Sequence, residues 1–318
     1  MTAHDHTPRT GARIHVARSI VAGEPSLSAI ENVEYLPKGF SQDTKYVLSE
    51  CGRPRYLLRM SHLKLRDRRR KEFDLLRKHH DRGIQCSEPL LFGVDETNGV
   101  CYLVVGFIEG ECADEALPKL SENLQFDIGL ASGRELRRLH ELPCPDRSFD
   151  WASHRWAKCM RNVNEIAEIR IDFPRRLEIE RYVDRNRHLL DGRPVRFQHD
   201  DFHPGNMILR DGRLAGIIDF NRWDWGDPIH DFYKLPWFGF PVSVPFARGQ
   251  VTGYFPEGVP SPFWPLYNLY VAMSFHASVC WAYRNERNEM EWWLDRIRDI
   301  IDTHDLATGC PPSWFQPP

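Results

Sequence analysis

The local pattern of this chain changes once, close to Gly110. Before that residue, short β-prone runs alternate with turn sequences over 33–35, 46–48, 56–60, 89–94 and 100–108. This pattern predicts an antiparallel sheet of about five strands, interrupted by one charged helix over 67–80. After Gly110, apolar residues recur at helical spacing over 124–142 and 290–301, and Pro174 stands where a helix to about residue 190 would begin. We therefore expect an α+β protein with an N-terminal extension over 1–29, a small sheet lobe over 30–107 and a mainly helical lobe over 108–318.

Composition excludes several classes of protein. Of the 318 residues, 42% are hydrophobic, which is enough for a sizeable core and rules out wholesale disorder. Lys and Arg number 42 against 45 Asp and Glu, so the net charge of −3 predicts neither nucleic acid nor a membrane surface as a partner. The eight cysteines have no CxxC or zinc-like spacing, and no apolar leader stands at residues 1–12. Both features are typical of a cytoplasmic protein with reduced thiols.

One long segment contains no Asp, Glu, Lys or Arg. Residues 261–283 are long enough to span a bilayer, but they include two prolines, an asparagine, three serines and a histidine. We therefore expect a buried helix of a water-soluble core in this segment.

The most informative motif lies between residues 197 and 209. His199, Asp201 and Asn206 have the H-x-D-x-x-x-x-N spacing of a kinase catalytic loop, and an apolar strand that ends at Asp219 follows. Phosphoryl transfer needs a carboxylate that orients a hydroxyl and accepts its proton, together with oxygen ligands for Mg²⁺. Asp201 as the base, with Asn206 and Asp219 as metal ligands, forms a minimal set. A β-turn between Gly212 and Leu214 is expected to bring Asp219 back beside Asn206 on a hairpin.

The same residues also allow a metal-hydrolase site or a purely structural polar loop. His199, Asp200, Asp201 and His203 contain the ligand types of a metal hydrolase, but that interpretation leaves Asn206, Asp219 and the N-terminal lobe without a role. A polar loop with helix caps is the structural alternative, and it does not explain why so many elements agree.

The N-terminal lobe supplies matching parts. The strand–turn–strand segment over 36–48 contains a turn at Gly39 whose backbone amides could hold phosphate, although a surface hairpin would have a similar sequence. Arg59 lies on a strand where a kinase has its phosphate-binding lysine, and Glu72 lies on the next helix, where a partner carboxylate belongs. Taken alone, Glu72 is also explained as one member of a solvated charged run. Residues 107–110 would form a hinge between the lobes.

With these parts in place, the chain resembles the aminoglycoside phosphotransferase family, small-molecule kinases with a bilobal protein-kinase-like fold. The resemblance extends from about residue 30 to 315 and is strongest over 198–231. It implies Asp201 as catalytic base and Asn206 and Asp219 as magnesium ligands. It also implies a nucleotide site whose members are Lys38, Ser41, Arg59, Glu72 and Ile108.

Two positions depart from the pattern of the family. Asp200 replaces the usual glycine between the histidine and the aspartate, so it must tolerate the local dihedral angles, and its charge could raise the pKa of Asp201. Arg59 replaces a lysine, which keeps the charge but changes the geometry of phosphate contact. Neither departure removes an essential oxygen ligand.

The sequence thus predicts a Mg²⁺-dependent kinase that transfers the γ-phosphoryl group of ATP, or of GTP, to a hydroxyl of a small molecule. An aminoglycoside antibiotic is the leading substrate, and Asp224, Asp227 and Asp231 are expected to line its pocket. The resemblance also suggests that Asp227 fixes the loop after Asp219. A metabolic kinase for an amino alcohol or sugar, and a non-catalytic nucleotide-binding protein of the same fold, are the alternatives. The sequence does not indicate an oligomeric state.

Overall fold

A computed structural model describes residues 13–37, 43–304, 306 and 309–315 of this protein. The chain forms two compact units. The first covers Met1–Gly110 together with Ala215–Asn221, and the second covers Glu111–Leu214 and Arg222–Pro318. The first division lies close to the boundary expected after residue 107. The segment 215–221, which contains Asp219, belongs to the first unit although the sequence pattern assigned it to the helical lobe.

The first unit is built on one antiparallel sheet with the strand order β1-β2-β3-β5-β4. Its strands are β1 (Asn32–Tyr35), β2 (Thr44–Glu50), β3 (Arg53–His62), β4 (Pro89–Asp95) and β5 (Val100–Gly106). Two helices belong to the same unit, α1 (Ile14–Gly23) and α2 (Arg66–Asp81). The five strands and the charged helix agree with the sequence pattern, and the predicted α+β class is confirmed.

The two faces of this sheet differ in chemistry because side chains alternate along a strand. Leu58 and Met60 of β3 belong to an apolar core that also contains residues of α1. Arg59 and Ser61 alternate with them and are therefore directed to the opposite face, where both side chains bond to residues of α2 or to their partners. One face of β3 thus builds the core, and the other carries buried charge.

The second unit is mainly helical. Its helices are α3 (Ala113–Ala116), α4 (Glu122–Leu139), α5 (Trp151–Ile169), α6 (Arg176–Arg185), α7 (Val244–Tyr254), α8 (Phe263–Asn285) and α9 (Met290–Thr303). Short strands connect them, namely β6 (Glu111–Cys112), β7 (Arg196–Gln198), β8 (Met207–Arg210), β9 (Arg213–Ile217) and β10 (Asp224–Gly226). The uncharged segment is α8, which is buried along most of its length as expected. Within the described part of the chain, no helix combines the length and the apolar character needed to cross a membrane.

Helices α4 and α7 approach closely through glycines. A Cβ atom on Gly133 of α4 would lie 2.1 Å from the carbonyl oxygen of Gln250 on α7, so any larger residue would push the helices apart. The close approach brings together two side chains at the helix ends. The Tyr254 hydroxyl lies 2.9 Å from Nδ1 of His140. The other ring nitrogen of His140 contacts Asp231, which binds the backbone of the loop that contains the sequence motif.

The hairpin of β8 and β9 turns through two residues with positive φ. Asp211 has φ +52° and Gly212 has φ +69°, which is the geometry of a type I′ turn and suits an Asp-Gly pair. The sequence predicted a turn between Gly212 and Leu214, close to the observed position. Strand β9 begins in the second unit and carries the chain into the first, where Asp219 follows it.

Candidate active site

The loop between β7 and β8 is held by one buried carboxylate. Asp231 lies in a short 3₁₀ helix (Pro228–Tyr233) and is completely buried. Its Oδ2 accepts the backbone N–H of His199 at 2.9 Å, and its Oδ1 accepts that of Asp200 at 2.7 Å. Nε2 of His140 lies 3.0 Å from the same Oδ2. Asp231 therefore fixes the backbone directly before Asp201.

The Asp201 carboxylate is fixed by a buried lysine. Nζ of Lys234 lies 2.6 Å from Oδ1 of Asp201, and Lys234 is only 6% exposed. The lysine directly precedes a π-helical turn (Leu235–Gly239) and lies over the rings of Tyr233 and Phe238 at 5.1 and 5.3 Å. The Asp201 side chain keeps 19% of its surface exposed, so the carboxylate remains accessible from solvent.

The charge state of Asp201 follows from these neighbours. Burial alone would raise the pKa of Asp201, but Lys234, His203 and Arg222 hold it well below its usual range. Burial would likewise lower the pKa of Lys234, and Asp201 reverses that shift. The two side chains therefore form an ion pair at neutral pH, with Asp201 ready to accept a hydrogen bond.

Asn206 closes the same loop. Its amide nitrogen donates to the backbone oxygen of Asp201 at 2.8 Å and lies 3.2 Å from Oδ2 of that residue. Because the nitrogen is engaged in this way, the amide oxygen is the atom that Asn206 can offer to a metal ion. His203 lies 3.7 Å from Asp201, and its Nδ1 accepts the N–H of Gly205. Burial lowers the pKa of His203 to about 4, so it is neutral at pH 7.

Asp200, the first departure from the family pattern, adopts φ +58°. This left-handed conformation suits glycine, and aspartate tolerates it better than most residues. The Asp200 carboxylate is directed into the protein, with Oδ1 3.5 Å from Nδ1 of His230. Burial raises the pKa of Asp200 and lowers that of His230 well below its usual value, which favours the neutral form of each. The extra carboxylate thus faces the interior, and the pKa of Asp201 is not raised.

The metal-hydrolase interpretation required His199, Asp200, Asp201 and His203 to converge. Among the described residues, the ligand atoms that do converge belong to Asp200, His230 and Asp231. The oxygens of Asp231 already accept two backbone N–H groups. The observed arrangement therefore does not support that interpretation.

The three carboxylates predicted to line a substrate pocket have different environments. Asp227 is fully buried and binds Arg193 at 2.7 Å and the Tyr270 hydroxyl at 2.8 Å. Its backbone oxygen accepts from Gln198 at 2.6 Å, so it ties the 3₁₀ helix to β7. Asp231 is engaged with the loop backbone, as described above. Burial of both leaves Asp224, which is partly exposed, as the member of the set that a substrate could contact.

In the first unit, Arg59 is the centre of a buried network, which we name the Arg59 cluster (Asp43, Arg59, Ser61, Arg69 and Glu72). The guanidinium of Arg59 donates to Glu72 at 2.7 Å and to Asp43 at 2.8 Å. Arg69 donates to the second oxygen of each carboxylate, at 2.6 and 2.9 Å. The cluster therefore contains two cations and two anions, each bonded to both members of opposite sign.

Burial and charge pairing set the ionisation of this cluster. Glu72 is 1% exposed, so it is a buried partner of Arg59 and no part of a solvated run. Burial alone would raise the pKa of Asp43 and lower that of Arg59. The opposite charges reverse both shifts, so Asp43 and Arg59 remain ionised.

Asp219 lies close to the Arg59 cluster in the same unit. It adopts φ +64°, a conformation that costs free energy in a non-glycine residue and is common at functional sites. Its carboxylate lies 3.9 Å from Arg59 and 3.9 Å from Nζ of Lys45, just beyond hydrogen-bonding distance. Oδ1 of Asp219 is buried and has no hydrogen-bond partner among the described residues. Such an oxygen is suited to bind a cation, because a buried acceptor without a partner costs free energy.

The other predicted nucleotide contacts are only partly described. Ile108 follows β5, and its side chain packs so closely on Gly216 that a Cβ there would lie 2.5 Å from Cδ1 of Ile108. Lys38 and Ser41 lie outside the described residues.

Sequence reasoning did not find four charged residues near these groups, namely Asp43, Lys45, Arg69 and Lys234. None belongs to a spaced motif. Asp43 and Lys45 flank the start of β2, and the only signal for Lys45 was its pairing position opposite Arg59, which requires the strand register. Lys234 is 33 positions after Asp201 and lies between the 3₁₀ helix and the π-helical turn.

Comparison with known proteins places this geometry in a family. A model of the phosphotransferase enzyme family matches residues 32–264, which is more than half of the chain. The chain therefore belongs to the phosphotransferase enzyme family. No curated protein gave a match.

Solved structures support the same fold. The gentamicin complex of APH(2")-IIa matches with a TM-score of 0.66 and 19% identity, covering 90% of this chain and 95% of the other. The GDP complex of aminoglycoside 2'-phosphotransferase-IIIa matches with a TM-score of 0.67 and 15% identity over 91% and 98%. A choline/ethanolamine kinase family protein from Mesorhizobium loti matches with a TM-score of 0.67 and 17% identity over 93% and 97%. At these identities the likeness establishes the fold.

Proposed function

We propose that this protein is an ATP-dependent O-phosphotransferase that transfers the γ-phosphoryl group to a hydroxyl of a small molecule. The observation that carries the proposal is the Asp201 carboxylate, which is ionised, partly exposed and fixed by Lys234 and Asn206. The loop that presents it is anchored by the buried Asp231. A carboxylate kept in one position can orient a hydroxyl for in-line attack.

The chemical role of Asp201 follows from its low pKa. The substrate oxygen forms a bond to the γ-phosphorus as the bond between that phosphorus and the leaving ADP oxygen breaks. The hydroxyl proton passes to Asp201, and a phosphate monoester and ADP are released. In a loose transition state the hydroxyl becomes acidic only late, so a weakly basic carboxylate that orients it is sufficient.

Two side chains could supply oxygen ligands to a Mg²⁺ ion. Asn206 can offer its amide oxygen, and Asp219 has a buried carboxylate oxygen without a hydrogen-bond partner. Hard oxygen ligands are those that Mg²⁺ prefers, and when bound it would neutralise charge on the phosphates. We propose both residues as its ligands. For the nucleotide, ATP or GTP, we propose contacts with Lys38, Ser41 and Ile108. We propose that the buried pair of Arg59 and Glu72 supports the phosphate end of this site from within the Arg59 cluster.

For the substrate we propose an aminoglycoside, with Asp224 as a contact to an ammonium group. Solved structures of the same fold include a gentamicin complex, which supports this class. A choline/ethanolamine kinase family protein shares the fold equally well and supports an amino alcohol as the second candidate. Both classes carry a cation and a hydroxyl. We do not extend the substrate contact to Asp227 and Asp231, because both are buried and bonded within the protein.

An ADP-release assay with purified protein, Mg²⁺ and ATP or GTP tests this proposal. The panel contains aminoglycosides, amino alcohols and free sugars, and the variants are Asp201→Asn and Asp211→Asn. The second variant removes an exposed carboxylate from the turn after β8 and is the matched control. We expect Asp201→Asn to lower turnover by about 10²- to 10⁴-fold with nucleotide affinity retained, and Asp211→Asn to behave like the wild type.

Each outcome decides a different part of the proposal. Turnover with an aminoglycoside supports the full proposal, and turnover with another panel member keeps the mechanism and changes the substrate. Equal turnover in the wild type and Asp201→Asn would overturn the role of Asp201. Nucleotide binding without turnover on any panel member would favour the non-catalytic alternative.

A further inference from the structure

Arg59 stands where a kinase has its phosphate-binding lysine, but its guanidinium is already occupied. One terminal nitrogen donates to Glu72 at 2.7 Å and the other to Asp43 at 2.8 Å. The side chain is only 8% exposed. A phosphate would have to displace one of two buried carboxylates, and each of these is also bonded to Arg69. Displacement would leave a buried charge with fewer partners, which is costly.

A second cation lies beside Arg59 on the neighbouring strand. Lys45 of β2 is directly opposite Arg59 of β3 in the antiparallel register. Directly opposed residues have their side chains on the same face of a sheet, with Cβ atoms about 5 Å apart. Lys45 therefore presents its ammonium group on the face that carries the Arg59 cluster.

Lys45 differs from Arg59 in how far its charge is neutralised. Among the described residues, its nearest carboxylate is Asp219 at 3.9 Å, and its Nζ makes no hydrogen bond. Its side chain is 13% exposed, against 8% for Arg59. The cation with spare hydrogen-bonding capacity is thus Lys45, and it lies next to the acceptor oxygens of Asp219.

We propose that Lys45, on β2, is the residue that binds the phosphates of the nucleotide, and that Arg59 is a positioning residue. This inference rests on the proposed function. Lys45 donates to a phosphate oxygen of the bound nucleoside polyphosphate. The Arg59 cluster keeps β2, β3 and α2 in register, and so holds the ammonium group of Lys45 near Asp219.

Nucleotide binding tests this assignment without knowledge of the phosphoryl acceptor. Titration calorimetry would measure the dissociation constants of Mg·ADP and of adenosine, or of Mg·GDP and guanosine if the protein prefers guanine. The proteins are the wild type, Lys45→Met, Lys45→Arg, Arg59→Lys and Lys71→Met. Lys71 is an exposed lysine of α2, so its replacement removes the same charge from the same unit. Circular dichroism verifies that each variant is folded.

We expect Lys45→Met to bind the nucleoside diphosphate roughly 10- to 100-fold more weakly, the usual effect of losing a charged hydrogen bond. Its affinity for the nucleoside should be unchanged, and Lys45→Arg should restore part of the loss. Arg59→Lys should be less stable to heat but should bind the diphosphate within about threefold of the wild type, as should Lys71→Met.

The opposite pattern would overturn the assignment. If Lys45→Met binds the diphosphate as the wild type does while Arg59→Lys loses affinity, Arg59 is the phosphate ligand. If the wild type binds no nucleotide at all, the proposed function fails and this inference fails with it. These two failures are distinguished by the wild-type titration alone.

Discussion

The Arg59 cluster and the loop that carries Asp201 both contain buried charged groups, but they differ in how much of the hydrogen-bonding capacity of these groups is used within the protein. In the cluster, each guanidinium donates to two carboxylates and each carboxylate binds both guanidinium groups. In the loop, Asp201 has one lysine partner and keeps part of its surface exposed, while Asp200 and His230 face each other at 3.5 Å. A saturated network can only hold the fold together. Groups with unused capacity are the ones that can bind a ligand.

The largest effect should come from breaking the saturated network. Glu72→Ala leaves two buried arginines without one of their carboxylates, and we expect the free energy of unfolding to fall by about 3–5 kcal/mol. Asp74→Ala on the same helix removes an exposed partner of Arg70 and should cost less than about 1 kcal/mol. Chemical denaturation of both variants measures the difference. Equal losses would mean that the cluster is no more important for the fold than a surface ion pair.

A substitution beside the loop that carries Asp201 should reduce turnover more than nucleotide binding. Lys234→Met removes the cation that positions the Asp201 carboxylate, and small displacements of a catalytic group reduce rates strongly. We expect kcat to fall roughly 10- to 100-fold with the substrate found in the panel, while the dissociation constant of the nucleotide stays within about twofold. Lys234→Arg should recover part of kcat. A change in nucleotide affinity alone would assign Lys234 to a different role.

The smallest effect concerns the pair of Asp200 and His230 and depends on pH. Burial raises the pKa of Asp200 in the folded protein, so the folded state binds its proton more tightly than the unfolded state does. This contribution to stability is present below the usual aspartate pKa of about 4 and is lost as pH rises through the folded value. Asp200→Asn cannot ionise, and asparagine also tolerates positive φ.

We therefore expect Asp200→Asn to be more stable than the wild type at pH 7, with the advantage shrinking as pH falls towards 4. Thermal unfolding between pH 5 and pH 8 measures this trend. A variant that is less stable than the wild type at pH 7 would show that Asp200 and His230 form a stabilising ion pair.

The sequence predicted the parts of the fold that depend on local pattern. The five strands and the charged helix α2 follow from periodicity and turn residues, and the buried helix α8 follows from the uncharged run over 261–283. The turn after β8 was predicted between Gly212 and Leu214, and the structure has it at Asp211 and Gly212. The Arg59–Glu72 pair was predicted from its place on a strand and the following helix, and the structure brings the two together at 2.7 Å. The roles proposed for Asp201, Asn206 and Asp219 remain predictions from motif spacing.

The partners of these residues could not be predicted in the same way. Asp43 meets Arg59 because β2, which it directly precedes, pairs with β3 in the sheet, and Arg69 meets Arg59 because α2 carries it to the same face. The register that opposes Lys45 to Arg59 is likewise a property of the folded sheet. Lys234 lies beside Asp201 although 33 positions separate them, and it directly precedes a π-helical turn, which is rare and has no reliable sequence signal. The burial of Asp227 and Asp231, which removed them from the proposed substrate contacts, likewise depends on tertiary packing.

Asp219 has a carboxylate oxygen without a hydrogen-bond partner among the described residues, so it should be able to bind a ligand. The dependence of nucleotide affinity on Mg²⁺ in Asp219→Asn tests this most directly. Titration calorimetry would compare ADP binding with Mg²⁺ and with EDTA, for the wild type, Asp219→Asn and Asp201→Asn. We predict that Mg²⁺ strengthens ADP binding to the wild type and to Asp201→Asn, and that Asp219→Asn loses this gain. An equal gain from Mg²⁺ in Asp219→Asn and the wild type would contradict the assignment of Asp219 as a metal ligand.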